Sequence, residues 1–282
     1  MSEKLLSIVI PSFNQGQFIE RCLRSILSQQ SDDLEILVID GGSSDQTVSI
    51  IEQYADRLDY WVSEPDRGQS QAFNKGFQRA KGRYLTWVNS DDLLLPGAVD
   101  AFRQFVAQRS YPDWIAANSM WIDVDERVIS CTYNAGWSEL ASRYGCLSVT
   151  GPSSFFSRKL LETVGWLKED YHYSMDTELW YRFTKNGIKY EVLNHFVWAL
   201  RLHAEAKVSG KDFTADSEVI AKINTERERI YAGYNISKPG ALLAILLPLL
   251  RLKRLAKLRS IWLTSRLKGR SMNAIPQKIF SI

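Results

Sequence analysis

Residues 83–96 read RYLTWVNSDDLLLP: an apolar run from Tyr84 to Val88 breaks into Asn89-Ser90-Asp91-Asp92 and resumes as three leucines and Pro96. The run has the composition of a strand buried on both faces, as the strands of a parallel sheet are. Two adjacent carboxylates at its end repel each other and are costly to desolvate between apolar flanks. Such a pair is kept where a cation is held, or where a helix N-terminus favours acids through its dipole. Pro96 suits the first residue of a helix running to about Gln108, so both readings are open at this point.

Upstream, the same alternation recurs. SIVIPS (7–12), LEILVID (34–40) and DYWVS (59–63) read as strands. Helical spacing follows each: 18, 19, 22, 23, 26 and 27 after the first, Val48, Ile51 and Tyr54 after the second, and Ala72, Phe73, Gly76, Phe77 and Ala80 after the third. This order predicts an α/β fold with a mostly parallel sheet covered on both faces. The second half is less regular. It offers strands at 114–118, 127–131, 153–157, 188–193 and 195–202, helices near 158–164 and 174–186, and a polar helix over 213–233.

Composition narrows the class. The 282 residues are 45% hydrophobic and 24% charged, ordinary values for a globular chain with a sizeable core. Three irregularly spaced cysteines make no disulfide framework or metal knuckle and are expected to be reduced thiols. MSEKLLSIVIPS passes directly into a strand and is not read as a signal peptide. The net charge of +3 conceals an asymmetry: from Arg229 onward there are eleven Lys/Arg and no acid, while the preceding residues carry 24 basic and 32 acidic groups. A nucleic-acid groove across the main body is therefore not expected.

In open α/β sheets ligands gather at the carboxyl ends of the strands. Four such ends carry chemistry here: Pro11-Ser12-Phe13-Asn14, Asp40-Gly41-Gly42-Ser43, Glu64-Pro65-Asp66-Arg67-Gly68-Gln69 and Asn89-Ser90-Asp91-Asp92. Carboxylates without neighbouring His or Cys suit a hard divalent cation, Mg²⁺ or Mn²⁺. No GxxxxGK[ST] loop is present and no GxGxxG follows the first strand, which argues against P-loop NTPases and dinucleotide oxidoreductases.

IVIPSFNQGQFIERCLRSILSQ, EILVIDGGSSDQT and SEPDRGQSQAFNKGFQRAKGRYLTWVNSDD together resemble the inverting family 2 glycosyltransferases, closely over residues 5–100 and more loosely to about 205. The resemblance implies a GT-A fold, Rossmann-like, and a nucleotide-diphospho-sugar donor, a UDP-sugar foremost. It places Pro11, Ser12 and Phe13 along the nucleoside and Asp40 at the second strand end. Many members carry a second acid where this chain has Gly41, and Asp66 is a substitute for it. Asn14, Gly68, Gln69, Asn89 and Ser90 belong to the same donor-binding set, and Lys75 would approach the phosphates. The family's metal element falls on Asp91 and Asp92, with Asp92 as direct ligand, Asp91 toward the sugar or ribose, and His203 near the metal. Asp176 matches the general base, and Glu178 and Trp180 flank the acceptor.

The expected organisation is a glycosyltransferase domain over 1–205 (donor half to about 110, acceptor half 111–205), a helical extension over 206–238 and a membrane-associating tail over 239–282. ALLAILLPLL (241–250) is too short to span a bilayer, whereas 251–270 mixes eight Lys/Arg with Leu, Ile and Trp, a pattern suited to an anionic membrane surface. The tail points to a lipid-linked saccharide acceptor and to a cytoplasmic, peripheral position on the inner face of the cell membrane. The alternatives are a sugar nucleotidyltransferase, which usually has a glycine-rich basic loop unlike PSFNQGQF, and a catalytically silent membrane scaffold.

Overall fold

The computed structural model describes residues 4–147, 149–207, 217–237 and 251–281. β1 (Leu6–Ser12), β2 (Leu34–Asp40), β3 (Tyr60–Ser63) and β4 (Tyr84–Trp87) pair in parallel in the order β3-β2-β1-β4. The two-residue period of each strand decides which helices it meets. Ile8, Ile10, Ile36 and Val38 share one core with α1 (Ile19–Leu27), with Ile51 of α2 (Thr47–Gln53), and with Val99 and Phe102 of α4 (Ala98–Gln108). Val9, Leu37 and Ile39 face the opposite core, with Ala72, Phe73 and Phe77 of α3 (Gln69–Arg79). A Cβ at Gly76 would lie 2.3 Å from Val9 Cγ1, so the close seat of α3 on β1 requires glycine there. Because β1 sits between β2 and β4, the winding reverses between β1 and β4, and the loops after these strands open onto one crevice.

The second half adds β6 (Trp114–Ile122), β7 (Val128–Thr132), β8 (Ser154–Ser157) and β9 (Glu191–Arg201). β8 lies antiparallel between β4 and β6, and β6 runs parallel to β9. The two strands expected at 188–193 and 195–202 are one. The polar break at Asn194 is absorbed by register shifts opposite Asn118, whose amide donates to Asn194 Oδ1 at 3.2 Å. α5 (Glu139–Arg143), not anticipated, α6 (Arg158–Val164), α7 (Met175–Lys185) and α8 (Ser217–Gly233) complete this half.

The leucines after the carboxylates do not start a helix. Leu93 and Leu94 form β5, antiparallel to Ala199 and Trp198 of β9. The chain then turns at Gly97, with φ 76°, and α4 begins at Ala98 rather than at Pro96. A strand and a turn thus separate Asp91-Asp92 from the helix, and a helix-capping role for them is ruled out.

The expected tail divides in two. Residues 241–250 lie outside the described residues. α9 (Arg251–Leu267) is seated on β7 with Leu263 and Leu267 buried, and its Ser260 and Thr264 hydroxyls each accept a backbone N–H, from Tyr133 and Cys131, at 2.9 Å. Downstream, Phe280 O accepts the Phe196 amide at 2.7 Å. On its inner side the segment is part of the domain. Its outer side leaves Leu255, Leu258, Ile261 and Trp262 about half exposed. Among the described residues no helix is long and apolar enough to cross a membrane.

Candidate active site

The donor-side loops are shaped by Asp40, which is fully buried. Its Oδ2 accepts from Gly42 N (3.1 Å), Ser43 N (2.8 Å) and Ser63 Oγ (2.6 Å), and its Oδ1 from Ser43 Oγ (2.5 Å). With both oxygens engaged, Asp40 holds the second and third strand ends together. Asp66 lies in the place a side chain at residue 41 would take: a Cβ on Gly41 would come within 2.8 Å of Asp66 Oδ2. Pro11 is buried within β1, whereas Phe13 is 60% exposed beside it. Asn14, at φ 52°, accepts the Ser44 amide at 2.9 Å and keeps that loop open. The buried Ser12 hydroxyl has no protein partner. Lys75 forms an ion pair with Glu64 at 2.9 Å.

The end of β4 is organised by β9. Asp92 is buried; its Oδ2 accepts from Asn89 Nδ2 (2.8 Å) and Trp198 Nε1 (3.0 Å), and its Oδ1 from Arg201 N (2.8 Å). Burial, followed by the charge of Asp91, pushes its pKa well up despite these donors. The Arg201 guanidinium donates to Asp91 O at 2.8 Å and to Glu126 at 3.2 Å, and Glu126 also receives Arg21. Burial would raise the Glu126 pKa, but the two arginines outweigh it and hold it below the ordinary value. Asp91 differs: its side chain stays 20% exposed, and Oδ2 lies 3.1 Å from His203 Nε2. The polar chain continues across the crevice, from Asn89 Oδ1 to Gln69 Nε2 (2.9 Å), and from Gln69 Oε1 to Lys207 Nζ (3.3 Å). Gly68, at φ 124°, opens α3 there, and Ser90 is buried within the turn.

Asp176 is the second residue of α7. Thr177 N donates to its Oδ1 at 2.6 Å, and burial raises its pKa above the ordinary carboxylate value, with the Arg227 charge opposing. A Cβ at Gly151 would lie 2.8 Å from Trp87 Cζ2 and 3.2 Å from Asp176 Oδ2, so this glycine lets the carboxylate approach the end of β4. Glu178 and Trp180, expected against the acceptor, are interior. Glu178 is wholly buried with Lys168 and Arg182 at 2.8 Å each, and Trp180 stacks between Trp87 and Trp114. Both side chains are buried among protein partners.

Sequence reasoning passed over Arg201, Trp198, Gly151 and Lys207. Arg201 did carry a signal, a lone charge inside the apolar run HFVWALRL. Among the described residues no three His, Cys, Asp or Glu converge as a metal cage. An ion here would draw on Asp91 and His203 and take its remaining ligands from phosphate and water, a habit of Mg²⁺ and of Mn²⁺. Replacing Arg201 by Met removes the buried partner of Glu126 and the donor to the Asp91 carbonyl, and should cost about 3–5 kcal/mol. Arg21→Met, removing a side chain 49% exposed, should cost about 1 kcal/mol or less. Urea midpoints measure both, and equal midpoints would contradict this ranking.

Glycosyl transferase family 2 matches residues 7–127, the span that holds all four donor-side loops. A Campylobacter jejuni GalNAc(5)-diNAcBac-PP-undecaprenol beta-1,3-glucosyltransferase is 35% identical over 103 residues, 35% of this chain and 31% of that protein. The structure resembles S. aureus TarS 1-349 in complex with UDP-GlcNAc (TM-score 0.59, 18% identity, 82% of this chain and 71% of that one). It also resembles the mannosyltransferase PcManGT of Pyrobaculum calidifontis with GDP-Man and Mn²⁺ (TM-score 0.55, 17% identity, 95% and 88%). The matched regions span 19% to 59% of the length of these and similar sequence relatives. With the GT-A-like architecture and the strand-end loops in place, residues 7–127 carry the match to glycosyl transferase family 2.

Proposed function

We propose that this glycosyltransferase moves a sugar with inversion from a nucleotide-diphospho-sugar, a UDP-sugar foremost, to a hydroxyl of a lipid-linked saccharide in cell-surface polysaccharide assembly. The observation that carries this reading is the raised-pKa carboxylate of Asp176, brought through Gly151 against Trp87 at the end of β4. The donor side of the same crevice is formed by Ser12, Phe13 and Asp66. In the reaction the acceptor hydroxyl gives its proton to Asp176, its oxygen bonds to the anomeric carbon, and the bond from that carbon to the diphosphate breaks. Lys207 and Gln69 stand where the two sides meet and would orient the substrates. Asp91 and His203 would hold a Mg²⁺ or Mn²⁺, since the oxygens of Asp92 are already taken by three protein donors. When bound, the ion supplies positive charge beside the leaving diphosphate.

The lipid-linked acceptor rests on the printed acceptor of the Campylobacter relative and on the outer face of α9. That face combines Leu255, Leu258 and Trp262 with Lys257, Arg259 and Arg266, the last lying 4.3 Å over the Trp262 ring. Apolar and basic groups on one exposed helix face suit the surface of an anionic bilayer, which would place the protein peripherally on the cytoplasmic side of the cell membrane.

Asp176→Asn should lower turnover of nucleotide sugars by roughly 10²–10⁴ while sparing donor binding; undiminished turnover overturns the assignment. The base works only when ionised, and its pKa is raised. The rate should therefore climb with pH through a limb above the ordinary aspartate value of about 3.9. A profile flat from pH 4 upward contradicts this. With UDP present, Mn²⁺ should raise the melting temperature of the wild type but not of Asp91→Asn; a shift retained by that variant moves the ion elsewhere. Leu258→Glu with Trp262→Glu should reduce flotation with phosphatidylglycerol liposomes by about tenfold or more at an unchanged melting temperature. Unchanged flotation rejects the membrane face.

A further inference from the structure

We propose that Glu226, on α8, is a positioning residue for Asp176, a role that rests on the reading of Asp176 as the base. α7 has no side-chain cap of its own: Ser174 occupies the N-cap position and makes no capping hydrogen bond. The carboxylate of Glu226 does this work from another helix. It accepts the backbone N–H of His172 at 2.7 Å, of Tyr173 at 3.0 Å and of Ser174 at 2.8 Å. One turn along α8, Arg229 donates to Asp170 O at 2.9 Å, pairs with the Asp170 carboxylate at 3.0 Å, and lies 3.8 Å over the Tyr171 ring. Residues 170–174 are thereby gripped where they enter α7, and a negative charge stands at the positive end of that helix.

The grip reaches the reacting group through the backbone. Asp176 Oδ1 accepts from Thr177 N, so the base is fastened to the first turn of α7 and moves with it. A displacement of about 1 Å at such a group costs up to roughly a hundredfold in rate. α7 and α8 both lie beyond the residues matched by the family, which end at 127.

The test is a double-mutant cycle on the full chain. Glu226→Ala and Glu226→Gln are made in the wild type and in Asp176→Asn, and UDP release is followed with UDP-glucose, UDP-galactose and UDP-GlcNAc. Glu226→Ala should lower kcat by about tenfold to a hundredfold with donor KM unchanged, and Glu226→Gln, keeping one acceptor oxygen, by less. In the Asp176→Asn background the Glu226→Ala loss should shrink to under about twofold, because misplacing an absent base has no effect. Amide exchange at 172–177 should quicken in Glu226→Ala whatever the turnover. Equal losses in both backgrounds, an unaltered kcat, or unaltered exchange overturn the proposal. An Asp176→Asn enzyme with full turnover rejects the base itself, a result distinguishable from a silent Glu226→Ala beside an inactive Asp176→Asn.

Discussion

One buried guanidinium, that of Arg201, underlies the geometry of the crevice. A loop carrying two adjacent carboxylates does not hold itself together, since each repels the other and both resist burial. β9 resolves this from the side. Arg201 contributes its backbone N–H to Asp92, its side chain to the Asp91 carbonyl and to Glu126, and Trp198 adds an indole N–H. Glu126 is balanced by Arg201 and Arg21, while the Asp92 carboxylate is held by three neutral N–H donors. The outcome is a division of labour between neighbours in sequence: Asp92 faces inward and fixes the turn, while Asp91 faces the crevice beside His203.

The acceptor side is built on a similar plan, with a different clamp. A carboxylate on α8 takes up the free amides ahead of α7, and a glycine on the opposing wall leaves room for Asp176. Both clamps come from late in the chain and act on groups placed much earlier, so the two halves of the crevice are tied by long-range polar contacts rather than by the sheet alone.

The donor half was legible because its signals are local. Apolar runs with a period of two, helical repeats between them and small or acidic residues at their ends are sufficient to place β1 to β4 and their loops. What escaped was decided by partners distant in sequence. Leu93-Leu94 became a strand because β9 offered an edge, and no propensity within LLLP announces that. Asp40 and Glu178 read as functional acids because an isolated sequence does not reveal that Gly42, Ser43 and Ser63, or Lys168 and Arg182, satisfy them. Two of the donors to Asp92, from Trp198 and Arg201, likewise stand more than a hundred positions away. The sequence of the tail shows its basic and apolar residues, but a helix apolar on two sides does not state which side the domain will claim.

That helix has a consequence for the solubility of the sheet. β7 is an outer strand, and an outer strand with open amides is a template on which a foreign strand can assemble. Ser260 and Thr264 fill the amides of Tyr133 and Cys131 with hydroxyls from a helix, which cannot propagate a ladder. At Val128 the backbone of residues 269 and 270 pairs instead. The chain thus closes its own growth front, and a surface that would otherwise recruit other copies through backbone pairing is occupied from within.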